Sequence, residues 1–458
     1  MNLLKQLRLK RGLRPAEYAQ EIARVHAELN PGRSRMAAGR AKVCRWERGE
    51  AVPELAAQRA IARLEGVSAR YLEQYRWPDW LHLAAEGAPA PDASWTDRGA
   101  LADLIRTTLK SQQPRRHPSI TGQALRDVLG AVDKALREQS TASRQHQVDD
   151  IDLCRIKGIE ERTRGGKRPS LVLTPTAQLK AAQDDYTVSL ELLARYGYGA
   201  DSPLGMRLLQ LVARSAHLCG KLSYCVGEDG TAQYYAFAAL RASAAQGLPD
   251  TVAFYLANLA GVHLSGQGEA KDAQAVIDAA RSLRERNSGR LAGLLDICEG
   301  LAYARFGQAS DSDRAFDRAV ARCHSVLTDT DQAISPDLDH LGGDWLPHAQ
   351  AASRLHLEQP SSAMAMFSPL HRDFHQLTAI AGLRPETARI GMTVVRTHLE
   401  CGNLDAATAA GHQLFTLLPT PPPVLADMYR RLFANSAYRT EPAVQALIDR
   451  LKDPRAHG

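Results

Sequence analysis

With 458 residues, the chain is too long for one ordinary hydrophobic core, so two or three domains are expected. Hydrophobic residues make up 44% and charged residues 24%, as in a globular protein, and no apolar run approaches the ~18 residues of a membrane span. The net charge of +6 is uneven, because residues 1–80 hold sixteen Lys and Arg against nine Asp and Glu. This basic segment favours a nucleic-acid partner, with a solvated surface as the alternative.

The amino-terminal residues MNLLKQLRLKRG lack the apolar centre of a secretion signal. The seven cysteines are scattered without a CxxC pair, which is typical of free thiols in a reducing compartment. A cytoplasmic protein is therefore expected.

The first eighty residues predict short helices in succession. The leucines among LLKQLRLK predict an amphipathic first helix that ends at Gly12. Pro15 opens a second helix, whose apolar residues from Tyr18 to Leu29 are expected to face a core. A third helix is predicted over roughly 37–48. Gly49 ends it, and a fourth helix with Leu55, Ile61 and Leu64 in its core starts near Pro53. A fifth is suggested by Val67, Tyr71 and Leu72.

Three segments of this region resemble the helix-turn-helix domain of the Xre and phage-repressor family. They are LRLKRGLR at 7–14, AQEIA at 19–23 and KVCRWERGEAVP at 42–53. Residues 28–37 make the connection before the third helix longer than the family's usual turn, which is similar to a branch of actinobacterial regulators. The resemblance implies that the third helix enters the DNA groove.

Matching to the family's pattern assigns expected roles in this region. Val43 and Trp46 lie three residues apart and are expected in the core, and Glu47 resembles the acidic residue that pairs with a basic residue of helix one, here Arg8. The groove side would then carry Arg40, Ala41, Cys44 and Arg45, of which the two arginines are expected at base edges. Phosphate contacts are expected from Lys42, Arg48, Arg14 and Arg35. For any one of these arginines, a solvated surface role is the alternative.

Between residues 75 and 175 the pattern is less regular. Trp77 and Trp80 are expected to form a hydrophobic lid on the first module, or else to seat it against another part of the chain. Residues 84–98 are rich in Ala, Pro, Gly and Asp and predict a linker, and 98–112 and 119–139 each predict a helix. Residues 162–168 are basic and Gly-containing but lack the spacing of a P-loop, so a loop is predicted.

From about residue 175 a helical pattern repeats. A starting residue, mostly Gly or Ala, is followed by a small residue 12 positions later and by bulky or small residues 16 and 19 positions later. The starts are Gly220, Gly261, Gly300, Ala351 and Val395. Helices can cross closely where side chains are small, and the pattern resembles tetratricopeptide repeats, although the spacings of 41, 39, 51 and 44 are longer than usual. Residues 178–197 predict an additional helix, and 423–434 with 441–452 a capping pair.

Stacked helix pairs form a concave groove that binds peptides, partner helices or small molecules. Five residues on the first helices of their pairs are candidates for this groove, with ordinary surface or core as the alternative: Tyr224, Asn258, His263, Tyr303 and Arg305.

Signatures of catalysis are absent from the sequence. His371 and His375 have chelating spacing but no HExxH motif or cysteine pair, and Asp337, Asp339 and His340 are interpreted as part of a loop. No enzyme activity, metal or cofactor is expected.

The sequence therefore predicts an all-α protein with a helix-turn-helix domain at 1–83, a linker with connecting helices at 84–174 and a tetratricopeptide-like α-solenoid at 175–458. The expected function is that of a sequence-specific transcriptional regulator that binds double-stranded DNA as a homodimer. It would sense a peptide or small-molecule effector, similar to peptide-responsive quorum-sensing regulators. The alternatives are a repeat-based interaction scaffold and a repressor that senses nothing.

Overall fold

The structure is a computed structural model. It describes residues 3–29, 39–65, 67, 72, 77–78, 80–81, 120–137, 149–163, 175–196, 202–265, 270–283, 289–324, 338, 345–367, 384–417, 423–434 and 438–452. Throughout these residues the regular secondary structure is helical, without strands, which confirms the all-α prediction.

The helices are numbered here in chain order. They are α1 (Leu3–Lys10), α2 (Pro15–Leu29), α3 (Arg40–Arg48), α4 (Leu55–Leu64), α5 (Gly122–Arg137), α6 (Asp150–Thr163), α7 (Pro175–Tyr196), α8 (Pro203–Cys225), α9 (Asp229–Ala245), α10 (Pro249–Ser265), α11 (Ala270–Ser282), α12 (Arg290–Arg305), α13 (Ala309–Cys323), α14 (Leu346–His356), α15 (Pro360–Met366), α16 (Arg384–Glu400), α17 (Leu404–Leu417), α18 (Pro423–Ala434) and α19 (Pro442–Lys452).

Two compact units divide the chain. The first comprises residues 1–94 and 111–131, and the second 95–110 and 132–458. The helices predicted over 119–139 and 178–197 are confirmed as α5 and α7. The predicted linker at 84–98 and helix at 98–112 lie outside the described residues, as does most of the predicted fifth helix.

The first unit has a core shared by its four amino-terminal helices. α2 packs against α3 and α4, and α1 packs against α3. Trp80 is fully buried in the same core and its Nε1 donates to Oε1 of Gln58 at 3.4 Å, while the ring of Trp77 packs edge-on against it at 5.5 Å. These contacts confirm the interpretation of the two tryptophans as a hydrophobic lid on this module.

The second unit contains helix pairs, and glycines lie at the α8–α9 and α12–α13 crossings, whereas a Cβ on Gly261 of α10 would meet no atom within 4 Å. Each of the five pairs α8–α9, α10–α11, α12–α13, α14–α15 and α16–α17 packs together. In the α12–α13 pair, a Cβ placed on Gly300 would lie 2.7 Å from the ring of Phe316, and one placed on Gly293 would lie 2.8 Å from Sγ of Cys323. Gly293 faces Cys323 near the end of α13, whereas the later Gly300 faces the earlier Phe316, so the two helices run antiparallel. The Ser312 hydroxyl of α13 donates a hydrogen bond to the carbonyl of Gly300 in α12 at 2.9 Å and so connects the two helices where they cross.

One turn recurs between the two helices of four pairs. Its central residue has a positive φ, at 84° for Gly227, 75° for Gly307, 57° for Glu358 and 77° for Gly402. In each turn this residue's N–H donates to the carbonyl three residues earlier, and the next N–H to the carbonyl five residues before it. Each turn lies seven residues after a start of the sequence pattern, so one local geometry follows four of the five starts. The residues that would hold the turn after Gly261 lie outside the described residues.

The first helices of the pairs, α8, α10, α12, α14 and α16, are called the first-helix layer below. Within it, α10 packs against α12, α12 against α14, and α14 against α16, while α8 also contacts α16. Side chains on these helices are therefore brought together although they are far apart in sequence. No helix among the described residues is long and apolar enough to cross a membrane.

Candidate functional sites

Helix α3 is fixed to the first unit through one face and through its end. Val43 and Trp46 are buried in the core, as the sequence predicted. Gly49 ends the helix in the left-handed region, with φ of 75°, and its N–H donates to the carbonyl of Trp46 at 3.1 Å. A side chain at this position would be strained, so the glycine determines where the helix stops.

A buried ion pair joins α3 to α1. Nε of Arg8 donates to Oε1 of Glu47 at 2.5 Å, and Nη2 donates to Oε2 at 3.3 Å. Nη1 of Arg8 also donates to the carbonyl of Leu13 at 2.7 Å, so one guanidinium holds α3 and the turn before α2. The hydrogen bond to Glu47 raises the pKa of Arg8. The pairing implied by the family resemblance is therefore confirmed.

The opposite face of α3 carries the residues expected at DNA. Arg40, Ala41 and Arg45 are exposed, and neither arginine makes an ion pair with another described residue. Lys42 and Cys44 are partly exposed. This face thus offers cationic side chains to solvent at both ends of the helix.

Two other residues that were expected to contact phosphates, Arg48 and Arg14, each lie beside a carboxylate. Nε of Arg48 lies 2.6 Å from Oε1 of Glu50, and that pair is about half exposed. Arg14 precedes α2, and its Nε lies 3.6 Å from Oε1 of Glu17. Arg35 lies outside the described residues.

A polar contact on the other side of this unit was not predicted. The hydroxyl of Tyr18 donates to Oε1 of Glu65 at 2.7 Å, and Nε of Arg11 donates to the same oxygen at 3.0 Å. Burial, followed by the charge of Glu65, raises the pKa of Tyr18 well above its usual value. The sequence pattern marked Tyr18 only as apolar core, because its partner is 47 residues away.

The five groove candidates occupy different environments. Tyr224 and Tyr303 are partly exposed, and Nδ2 of Asn258 donates to the carbonyl of Phe254 in its own helix at 2.9 Å. The ring of His263 is buried in the packing between α9 and α10 and does not line an open surface. Arg305 is partly exposed.

Two hydrogen bonds define the surroundings of His263. Nε2 of Gln233 donates to its Nε2 at 3.1 Å, which requires a neutral imidazole with the proton on Nδ1. Burial lowers the pKa of His263 to about 4. Its backbone carbonyl accepts from Nη1 of Arg305 at 2.9 Å, and the same nitrogen donates to the carbonyl of Leu264 at 3.2 Å.

A buried carboxylate cluster links three helices of the second unit and was also not predicted. Asp296 on α12 is fully buried and accepts from Arg281 of α11 at 2.8 Å and from Arg318 of α13 at 3.2 Å, as well as from Arg322. Glu299, one turn later, accepts from Arg281 at 2.9 Å and Arg318 at 2.6 Å. The cluster compensates buried charge and ties successive helix pairs together.

The described residues include no group of three or more His, Cys, Asp or Glu side chains placed to hold a metal ion. The histidines at 371 and 375 and the acidic loop at 337–340 lie outside the described side chains, apart from Leu338.

Comparisons of the chain with protein-family models, with curated proteins and with solved structures gave no match.

Proposed function

We propose that the chain is a sequence-specific DNA-binding transcriptional regulator. In this proposal residues 1–83 form an Xre-type helix-turn-helix domain and α3 is its recognition helix. The observation that carries this proposal is that α3 has one face packed against its own unit and one face exposed to solvent. Val43, Trp46 and Glu47 hold the helix to its support, while Arg40 and Arg45 extend outward without an ion pair to another described residue.

Arginine geometry supports this assignment. A guanidinium can donate two parallel hydrogen bonds to O6 and N7 of guanine, and each such contact discriminates against a wrong base by about 1–3 kcal/mol. Arg40 and Arg45 are the arginines of α3 best placed for this role, because Arg48 would first have to leave Glu50. Arg48, Lys42 and Arg14 fit phosphate contacts, which position the protein without reading sequence.

In this proposal, the second unit regulates DNA binding. Residues 175–458 would form a tetratricopeptide-like solenoid that dimerises and senses a peptide or small molecule, in the manner of peptide-responsive quorum-sensing regulators. The recurring turn and the first-helix layer support this part. One helix-turn-helix module buries only roughly 600–1,000 Å² on DNA, so a dimer on two half-sites is expected.

The test is titration of the purified protein on its own promoter DNA and on scrambled DNA at about 50 mM and about 200 mM salt. We expect a specific complex that weakens steeply with salt, and a dimer of about twice the 50.0 kDa chain mass by light scattering. Arg40→Ala and Arg45→Ala should each relax preference at one base position by about 5- to 150-fold.

Arg24→Ala is the matched control, because Arg24 is an exposed arginine of the same unit that pairs with Glu21 and Glu28 on α2. Absence of a specific complex would reject the proposal in favour of an interaction scaffold. If both α3 variants keep full specificity, another surface reads the bases.

A further inference from the structure

Helix α6 packs on the second unit through one face only. Ile156 and Ile159 on this face are buried, and the helix contacts α7 and α8. The guanidinium of Arg207 on α8 donates to both carboxylate oxygens of Glu160, at 2.6 and 2.9 Å. These contacts determine which side of α6 faces outward.

The outward face of α6 exposes an apolar side chain. Ile151 is 69% exposed, the highest value among the large apolar residues that the structure describes. Cys154 is exposed and Gly158 partly so, and the three residues follow at intervals of three and four, which places them in one stripe. A groove of about 580 Å³ follows this stripe, and its described lining is Asp150, Ile151, Cys154, Arg155, Gly158 and Arg162.

Gly158 makes the stripe shallow at one point. A Cβ placed there would have one near neighbour among the described residues, Nη1 of Arg162 at 3.3 Å. That guanidinium is held by Asp185 of α7, which accepts from Nε and Nη2 at 2.8 and 2.7 Å. Ile151 therefore projects and Gly158 recedes, about two helical turns apart on the same stripe. Such a knob and hole fit a second helix that carries the same two residues in reverse order.

The charges beside the stripe change sign over the same distance. Asp150 and Lys157 are exposed, and neither makes an ion pair with another described residue. Seven residues separate them, so they lie on one side of the helix. In an antiparallel copy of α6 centred on Cys154, each Asp150 would lie within one residue, ~1.5 Å along the axis, of the other copy's Lys157. A parallel copy would instead place like charges opposite each other.

We propose that the outward face of α6 is an interface between two copies of this chain, packed antiparallel about a two-fold axis near Cys154. Ile151 of each copy packs over Gly158 of the other, and Asp150 pairs with Lys157 of the other copy on both sides of the axis. A two-fold axis brings the same patch of both subunits together, so the patch must be complementary to itself, as this one is. The inference rests on the proposed function in that a dimer is expected there, and it adds a dimer contact at α6, before the repeats.

The first test is cross-linking of the full chain with a short bismaleimide, which joins two thiols that lie close together. We expect a covalent dimer of about twice the 50.0 kDa chain mass on a denaturing gel. Cys154→Ser should abolish it. Cys401→Ser is the control, because Cys401 is a partly exposed thiol in the turn after α16, and it should cross-link like the unmodified chain. A covalent dimer that persists in Cys154→Ser, or none in the unmodified chain, would overturn the proposed interface.

Charge reversal tests the antiparallel register. Asp150→Lys places lysines opposite each other at both ends of the contact and should reduce the yield of the Cys154 cross-link about tenfold, because the two-fold axis counts the change twice. Adding Lys157→Asp to this variant reverses both pairs and should restore the yield. Asp317→Lys makes the same charge change at an exposed position of α13 and should have no effect. A double variant as weak as Asp150→Lys, or an Asp150→Lys chain that cross-links like the control, would contradict the register and the interface.

Light scattering and promoter titration distinguish this inference from the proposed function. A dimer that binds specific DNA but gives no Cys154 cross-link rejects the α6 contact alone. A chain that gives the Cys154 cross-link but binds no specific DNA keeps the contact and rejects the regulator.

Discussion

Two arginine–glutamate pairs in the first unit differ mainly in burial. The side chains of Arg8 and Glu47 are 7% and 8% exposed, whereas those of Arg48 and Glu50 are 60% and 50% exposed. Glu47→Ala would leave a buried guanidinium without its carboxylate and should lower the free energy of unfolding of this unit by about 3 kcal/mol. Glu50→Ala should have a much smaller effect, because solvent screens that pair.

Urea unfolding followed by tryptophan fluorescence measures both changes, since Trp46 and Trp80 are buried in this unit. Replacing both partners, as in Arg8→Met with Glu47→Leu, should recover part of the loss by removing the uncompensated charge. Equal losses for Glu47→Ala and Glu50→Ala would show that the buried pair does not hold α3.

Glu358 occupies a backbone conformation that the equivalent turns give to glycine. Its φ is 57°, and the left-handed region costs a residue with a side chain about 1–2 kcal/mol. Glu358→Gly should therefore raise the free energy of unfolding of the second unit by about 0.5–1 kcal/mol, after the larger chain entropy of glycine is subtracted. Gly307→Ala, in the same turn of another pair, should lower it by about 1 kcal/mol. Urea titration followed by circular dichroism tests the opposite signs, and a destabilised Glu358→Gly would contradict the argument.

At the scale of the helices, substitutions at two glycines distinguish the effect of close packing on stability from the effect of helix propensity. A Cβ on Gly300 would lie 2.7 Å from the Phe316 ring, whereas one on Gly261 in α10 meets no atom within 4 Å. Gly300→Ala should destabilise the second unit by about 1–3 kcal/mol, because the aromatic ring must move within a packed core. Gly261→Ala should stabilise it by up to about 1 kcal/mol through helix propensity. Thermal unfolding of the two variants distinguishes these effects, and similar shifts for both would mean that the α12–α13 crossing is not tightly packed.

The helices themselves were largely predictable from the sequence. Gly12, Pro15 and Gly49 mark ends and starts where the structure has them. Glycine adopts the positive φ that ends a helix, and proline fixes φ at a value that suits the first helical turn. Leu29 and Leu55 were expected in the core but are exposed, and each is the terminal residue of its helix. A periodic pattern gives the direction of a side chain and does not show how far the neighbouring helix extends.

Contacts between distant residues were less predictable. The Arg8–Glu47 pair followed only from the family resemblance, and the Asp296 cluster was not foreseen. Asp296 occupies a position that polarity alone assigns to solvent, and only the approach of α11 and α13 explains its burial.

For the whole molecule, the proposed function assigns the basic side chains of residues 1–80 to DNA and the repeats of the second unit to dimerisation and sensing. A ligand regulates DNA binding only if it binds one arrangement of the dimer more tightly than another. Promoter titration with and without a candidate effector measures the resulting change in DNA affinity.

The stability of the whole chain should fall in mild acid because of the buried His263 and the partly buried His356. The pKa values of His263 and His356 are lowered to about 4, with burial as the first cause for each. For His263 the charge of Arg305 acts in the same direction and that of Asp229 opposes it. The unfolded chain takes up these protons near pH 6.5, so this stability is present above that pH and is lost progressively as the pH falls towards 4.

For His263 alone, the loss between about pH 7 and about pH 5 should be about 2 kcal/mol in the free energy of unfolding. Urea titrations at the two pH values measure it. His263→Gln can keep a side-chain hydrogen bond to Gln233 but cannot take up the proton, so the difference between the two pH values should shrink by about that amount. His324→Gln, at the exposed end of α13, is the surface control and should keep the full difference. If the His263 variant retains the pH dependence of the unmodified chain, the imidazole is not held neutral by burial between α9 and α10.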